Sequence, residues 1–224
     1  MKQIKDVWFP DEDEHFAEQL EKNPEFEGHG TYQWNKVARA IDTAEGPRTL
    51  ALDVGGHVGL WSLVLARHFD RVAAFEPVRP LAECFRKNME EHGCTHVKLF
   101  EAAVSDVKNG AVRVRNDNPG NSGNYFVEPI DPDVENVEGA VSTLRIDDLG
   151  FEPEFVKIDV EGWELPVLRG AERTIKSCKP VVLVEQKPDN AERHGFERFA
   201  ARDLLASWGA RVLWDKSGDY CMGW

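Results

Sequence analysis

Cysteine is scarce and scattered: the four residues Cys84, Cys94, Cys178 and Cys221 include no C-x-x-C pair. That spacing gives no zinc-ribbon or thioredoxin-like signal. Ordinary packing in a reducing compartment is the expectation, which points to a cytoplasmic protein. Positive charge is also in deficit. Lys and Arg number 27 against 40 Asp and Glu, a net charge of −13, and no basic run offsets it. Broad electrostatic binding to nucleic acid or to an anionic membrane is disfavoured on that count. No apolar stretch approaches the ~20 residues of a membrane span. Met1 to Pro10 lacks the apolar core of a signal peptide. Internal repeats and low-complexity tracts are lacking too. What is there, 224 residues with 42% hydrophobic content, suffices for one sizeable α/β domain and is short for two.

The chain alternates strand and helix, which predicts a mostly parallel sheet covered on both faces. Strands are expected at Thr49–Asp53, Arg71–Glu76, Val97–Ala102, Phe155–Asp159 and Pro180–Glu185. Helices are expected at Val58–Phe69, Pro80–His92, Glu164–Ser177 and Phe196–Trp208. Ala210–Trp214 and Asp219–Met222, split by Ser217-Gly218, read as a terminal antiparallel hairpin. Residues 1–45 read as an N-terminal helical appendage or lid, and 46–224 as the main domain. A β-rich insertion at about 106–148 carries Asn118-Pro-Gly-Asn-Ser-Gly-Asn124 and has no convincing helix. Long loops of this kind are often functional.

The most informative stretch runs from Leu50 through Asp53-Val-Gly55-Gly56-His57-Val-Gly59. It reads as a buried strand, a glycine-rich turn and the start of a helix. Glu76, followed by Pro77, closes the next strand, where a ribose-binding acid is expected. In dinucleotide sites such a turn cradles a pyrophosphate at a helix N-terminus. Here the turn opens with Asp53, which would repel a pyrophosphate, and the glycine spacing departs from G-x-G-x-x-G. S-adenosylmethionine carries no phosphate. An acid at the turn suits its cationic end, and the helix N-terminus suits its carboxylate. A nicotinamide dinucleotide is the weaker reading, and a tight βα turn with no ligand is the plain alternative.

A second string, Phe155-Val-Lys157-Ile-Asp159-Val-Glu161-Gly162-Trp163-Glu164, brings acids to a strand end, and the next strand ends at Glu185. Ligands of open α/β sheets sit outside the carboxyl ends of the strands, so Asp159, Glu161 and Glu185 should share a rim with Asp53 and Glu76. Such acids can take a proton from a hydroxyl or hold Mg²⁺ through hard oxygen ligands. They can also simply favour the first turn of the next helix, the reading that suits Glu164.

These strings, with Ala73-Ala-Phe75-Glu76-Pro77, Ala102-Ala-Val-Ser-Asp106 and Thr143-Leu-Arg-Ile-Asp147-Asp148-Leu149, closely resemble the FkbM-like family of S-adenosylmethionine-dependent methyltransferases. The likeness covers roughly residues 49 to 187, and His57 stands where many members have Asn. It implies a Rossmann-like class I methyltransferase fold, α/β, with a mostly parallel seven-stranded sheet. It implies that Asp53, Gly55, Gly56, His57 and Gly59 border the methionine end of the cofactor, and that Glu76, with Pro77 after it, accepts from the ribose hydroxyls. Ala103, Val104 and Ser105 would border the adenine. The methyl group would then face Asp159, Glu161 and the insertion. Members mostly methylate hydroxyls of sugars, polyketides or other small metabolites, so a small-molecule or saccharide acceptor is expected. Asp159 is the first candidate base and Glu185 the second. The same two positions resemble the metal-bearing strand ends of catechol O-methyltransferase, which makes Asp159 and Glu185 the candidate Mg²⁺ ligands.

His29, Tyr32 and Trp34 form an aromatic segment before the first strand. His29 is a further candidate base, and Tyr32, with Asn124 and Tyr125 of the insertion, a candidate substrate contact. The acidic N-terminal region could equally be a lid, a homodimer element or a docking site. Rival functions are a methyltransferase acting on a nucleotide or nucleic-acid hydroxyl, a non-catalytic cofactor-binding adapter and a dehydrogenase. No Pro-Cys pair is present for cytosine-C5 chemistry, and the fifth strand ends in Glu185 rather than the Lys of RNA ribose methyltransferases.

Overall fold

The computed structural model describes residues 1–22, 34–131 and 137–224. The chain opens with a hairpin of β1 (Lys2–Ile4) and β2 (Val7–Phe9), followed by α1 (His15–Lys22) and α2 (Trp34–Thr43). It then alternates through β3 (Leu50–Val54), α3 (Leu60–Leu65), β4 (Arg71–Phe75), α4 (Arg79–Glu91) and β5 (Val97–Phe100). A second sheet follows, with β6 (Ala103–Val104), β7 (Ala111–Asn116), β8 (Tyr125–Pro129) and β9 (Ala140–Leu144). The main alternation resumes with β10 (Phe155–Ile158), α5 (Glu164–Arg169), α6 (Glu172–Cys178), β11 (Val181–Glu185) and α7 (Ala200–Ser207). It ends in the hairpin β12 (Arg211–Lys216) and β13 (Asp219–Gly223).

The central sheet has seven strands in the order β12-β13-β11-β10-β3-β4-β5. It is mixed: β3, β4, β5, β10 and β11 run parallel, while β13 is antiparallel to both β11 and β12. All five residues of β3 are buried, as befits a strand covered on both faces. Their side chains alternate between two cores. Leu50, Leu52 and Val54 join the cluster that holds Val167, Leu168 and Leu205, whereas Ala51 joins the one with Val37, Ile41 and Val64. Helix α2 thus packs into the body of the domain. The β1–β2 hairpin is likewise tied down: buried Asn88 of α4 donates to the carbonyls of Trp8 (3.0 Å) and Val58 (2.8 Å).

The insertion forms a four-stranded sheet, β6-β9-β7-β8, in which only β6 and β9 pair in parallel. Ala103 and Val104, next to the expected third strand, belong to this second sheet. The helix expected at Glu164–Ser177 is two helices, broken at Gly170-Ala171. A Cβ on Gly170 would stand 2.0 Å from the Ser105 carbonyl oxygen, so the chain bends around that contact. Asp147 caps the second piece from outside, accepting from the N–H groups of Arg173 (3.1 Å) and Thr174 (2.8 Å). The expected Val58–Phe69 helix is shorter because Gly59 (φ 97°) stands at its N-cap and the chain leaves it at Ala66. Among the described residues no helix is long and apolar enough to cross a membrane.

Candidate active site

Strands β3 and β10 are neighbours whose connections leave in opposite directions, which opens a crevice at their carboxyl ends. A cavity of about 1280 Å³ lies there, between the ends of β3, β4, β10 and β11 on one side and α1 with β8 on the other. Of the residues singled out from sequence, Gly55, Gly56, His57, Glu76, Pro77, Ala103, Val104, Asn124, Tyr125, Asp159, Glu161 and Glu185 line it. His29 and Tyr32 lie outside the described residues.

The turn after β3 is held against both neighbouring strands. The N–H groups of Gly55 and Gly56 donate to the Phe75 carbonyl at 3.0 and 2.9 Å. Gly55 has φ 82°, and a Cβ there would come within 1.8 Å of the Asp159 carbonyl oxygen. Only glycine lets the turn touch the acid-bearing strand end. His57 follows, also left-handed at φ 51°. Its N–H donates to Glu76 Oε2 (2.8 Å), and the Val78 N–H donates to Oε1 (2.9 Å). Glu76 is therefore fixed by backbone, and each of its oxygens keeps capacity for a further donor. Burial pushes its carboxyl up to about 7, against the pull of those two N–H groups.

Three sequence expectations for this end need correction. Asp53, Gly59 and Ser105 stand behind the cavity wall rather than in it. Asp53 is wholly buried. It accepts from Ser62 Oγ (2.6 Å) and pairs with the Lys157 ammonium at 3.1 Å, because a carboxylate so deep requires a charge partner. Gly59 caps α3, and the Ser105 hydroxyl donates to Asp106 (3.2 Å). Lys157 is the residue that sequence reasoning missed. It lines the cavity, donates to the Gly55 carbonyl (2.6 Å) and lies 4.0 Å from Asp159. The signal was present: a lysine inside an otherwise apolar strand.

At the far end, oxygens of Asp159, Glu161 and Glu185 lie within 4.8 Å of one another. Lys187, also unanticipated, stands on this group at 2.7 Å from Glu185 and 3.9 Å from Glu161. Asn190 donates to Glu161 (2.8 Å), whose backbone is left-handed at φ 52°. Glu185 is 5% exposed, and its Oε2 has no hydrogen-bond partner among the described residues. Burial and the Asp159 charge push the Glu185 carboxyl up to about 10. Burial also acts on Asp159, but Lys157 and Lys187 outweigh it and hold Asp159 below the usual carboxylate range. Asp159 and Glu185 titrate as an interacting pair, in which the two lysines favour charge on Asp159 and burial raises Glu185. Glu164 takes no part. It accepts from the N–H groups of Gly162 (3.0 Å) and Val160 (3.3 Å), in the turn before its own helix.

The roof is built by α1 and the 118–124 loop. Asp13 is wholly buried and accepts from Phe16 N–H and Ser122 N–H, both at 2.8 Å. The Gly120 carbonyl accepts from the N–H groups of Glu14 (2.8 Å) and His15 (3.0 Å).

The comparisons with known proteins agree with this geometry. The fold is that of class I methyltransferases: the crystal structure of precorrin-6y C5,15-methyltransferase from Geobacter metallireducens GS-15 matches with a TM-score of 0.52 at 14% identity, over 85% of this chain and 88% of that one. The family described as "Methyltransferase FkbM domain" matches residues 53–212, and the chain belongs to it. Methyltransferase 1 of Beauveria bassiana is 28% identical over 60% of this chain and 63% of its own length. A tRNA/tmRNA (uracil-C(5))-methyltransferase of Shewanella woodyi is 26% identical over 73% of this chain and 40% of its own length. The chain therefore spans less than two thirds of either curated relative.

Proposed function

We propose that the protein is an S-adenosylmethionine-dependent O-methyltransferase acting on a hydroxyl of a saccharide or other small metabolite. The observation that carries the reading is the presence, in one cavity, of a backbone-fixed acid, Glu76, and of the adjoining carboxyl groups Asp159 and Glu185. The residues fit an adenosyl group. Glu76 has acceptor capacity for two ribose hydroxyls, and Ala103 and Val104 offer apolar surface to a base. The Gly55–His57 turn borders the methionine end.

When bound, S-adenosylmethionine supplies an electrophilic methyl group on a sulfonium. A neutral alcohol is a poor nucleophile, so its proton must leave as attack proceeds. Asp159, ionised and lining the cavity, takes that proton, and its charge is held in place by Lys157 and Lys187. Glu185, raised by burial and by the Asp159 charge, supports Asp159 rather than acting as base. Asn124 and Tyr125 contact the acceptor from the roof side. Alignment and exclusion of water supply much of the remaining acceleration. A Mg²⁺ ion would be held by Asp159, Glu161 and Glu185. Lys187 already places positive charge 2.7 Å from Glu185 and 3.9 Å from Glu161, so we favour base catalysis without the ion.

Pyrimidine-C5 transfer, the chemistry named for the Shewanella relative, needs a nucleophile such as a thiolate. Among the described residues no cysteine lines the cavity, and burial pushes the Cys84 and Cys221 thiols up to about 11 and about 12. The net charge of −13 also disfavours a polyanionic substrate.

Calorimetric titration with S-adenosylhomocysteine on the wild type and on Glu76→Ala tests the cofactor end. Micromolar binding that collapses in the variant is expected. Transfer of labelled methyl from S-adenosylmethionine to a panel of sugars and small alcohols tests the acceptor end. Failure of the wild type to bind would sink the reading.

A further inference from the structure

His57 touches two parts of the molecule. Its backbone N–H fixes Glu76 Oε2 at 2.8 Å. Its ring Nε2 lies 2.7 Å from the Ser122 hydroxyl, and Ser122 is 2% exposed. From Ser122 the contact continues into the roof: its N–H donates to Asp13 Oδ2, and Asp13 Oδ1 accepts the Phe16 N–H. The Phe16 ring returns to the His57 ring at 4.9 Å and stacks on Phe9 at 5.6 Å. One residue, in a left-handed conformation at φ 51°, thus presents its main chain to the floor of the cavity and its side chain to the roof. Burial holds the imidazole neutral, with a pKa of about 4, so near neutral pH it serves as a hydrogen-bonding group and not as a charge.

We propose that His57 is a positioning residue that couples the ribose-binding acid Glu76 to the roof made of residues 13–16 and 118–124. This rests on the cofactor reading above and adds to it. The methyl donor and a closed roof then favour each other: a ligand that locks Glu76 also locks His57, and through Ser122 it tightens the roof that keeps water from the transfer. The coupling is reciprocal, so a loosened roof weakens donor binding by the same factor that the donor tightens the roof.

The test is amide hydrogen exchange of residues 13–22 and 118–124, with and without S-adenosylhomocysteine, alongside calorimetric affinity. In the wild type the ligand should slow exchange in both segments. Ser122→Ala cuts the link without touching Glu76. It should still bind, about tenfold more weakly, the scale of one buried hydrogen bond, and its roof exchange should no longer respond to the ligand. His57→Ala should behave alike. His57→Gln, whose amide nitrogen reaches to a similar depth, should restore part of the response. A purely structural role would lower thermal stability without separating ligand binding from roof protection. Unchanged roof exchange in a wild type that binds the ligand overturns the coupling and leaves the cofactor reading standing. So does a Ser122→Ala protein that matches the wild type in both readouts. No binding by the wild type overturns both.

Discussion

Lys157 and Asp53 stand directly opposite each other in register across β10 and β3, and their charges meet at 3.1 Å with side chains 4% and 0% exposed. Breaking such a pair from one side leaves a buried, uncompensated charge, which typically costs about 3–5 kcal/mol. Lys157→Met should lower stability by that order in urea unfolding. The double variant Asp53→Asn/Lys157→Met should lose much less than the sum of the two single changes. Additive losses would show that the two charges do not depend on each other.

Glu76 sets a pH dependence. Burial raises its pKa to about 7, so below that value the ligand-free protein holds a proton there. Ribose hydroxyls donate to the ionised form. Affinity for S-adenosylhomocysteine should therefore be level above about pH 7 and fall as pH drops, approaching tenfold per unit. Calorimetry at pH 6 in buffers of different ionisation enthalpy should show close to one proton released on binding. Proton uptake instead would reverse the assignment.

The division of labour at the acid end predicts different phenotypes. Asp159→Asn should slow methyl transfer by about 10²–10⁴-fold while donor affinity changes little. Glu185→Gln, which keeps a neutral donor in place of a protonated acid, should be milder. Prior treatment with a chelator should leave the rate unchanged. A rate restored only by added Mg²⁺ would show that Lys187 does not suffice there.

Asp147 is a purely structural acid by this account. Asp147→Ala frees the N–H groups of Arg173 and Thr174 and should cost about 0.5–2 kcal/mol, the worth of a lost helix cap. Chemical unfolding would show the loss, with S-adenosylhomocysteine affinity unaltered. A change in affinity would mean that the α5–α6 break transmits to the cavity.

The parallel strands and the glycine turn were readable because strands buried on both faces leave apolar runs, and because several of those runs end at the cavity. The pattern within Leu50–Val54 could not reveal partners, however. Asp53 reads as a ligand-facing acid until Lys157, far along the chain, is known to stand beside it. The helix break at Gly170 was hidden for a similar reason: its cause is the Ser105 backbone, a tertiary contact with no local signature. The β1–β2 hairpin escaped notice since three-residue strands carry too little pattern. Glu76, by contrast, was singled out from position alone, and the structure sets it directly after β4, where the His57 N–H donates to it.

Lys36 of α2 pairs with Asp219 of β13 at the cavity margin, a separation of 183 residues, and the Trp214 indole donates to the Thr43 hydroxyl across 171. Contacts of such long sequence separation form slowly, since loop-closure entropy precedes their reward. During synthesis, the sheet strands up to β11 can emerge and pair well before β13 is available to Lys36. The cavity margin is therefore among the last parts of the molecule to be completed, and a chain stalled short of β13 would carry the glycine turn and the acid pair without the clasp that joins α2 to them.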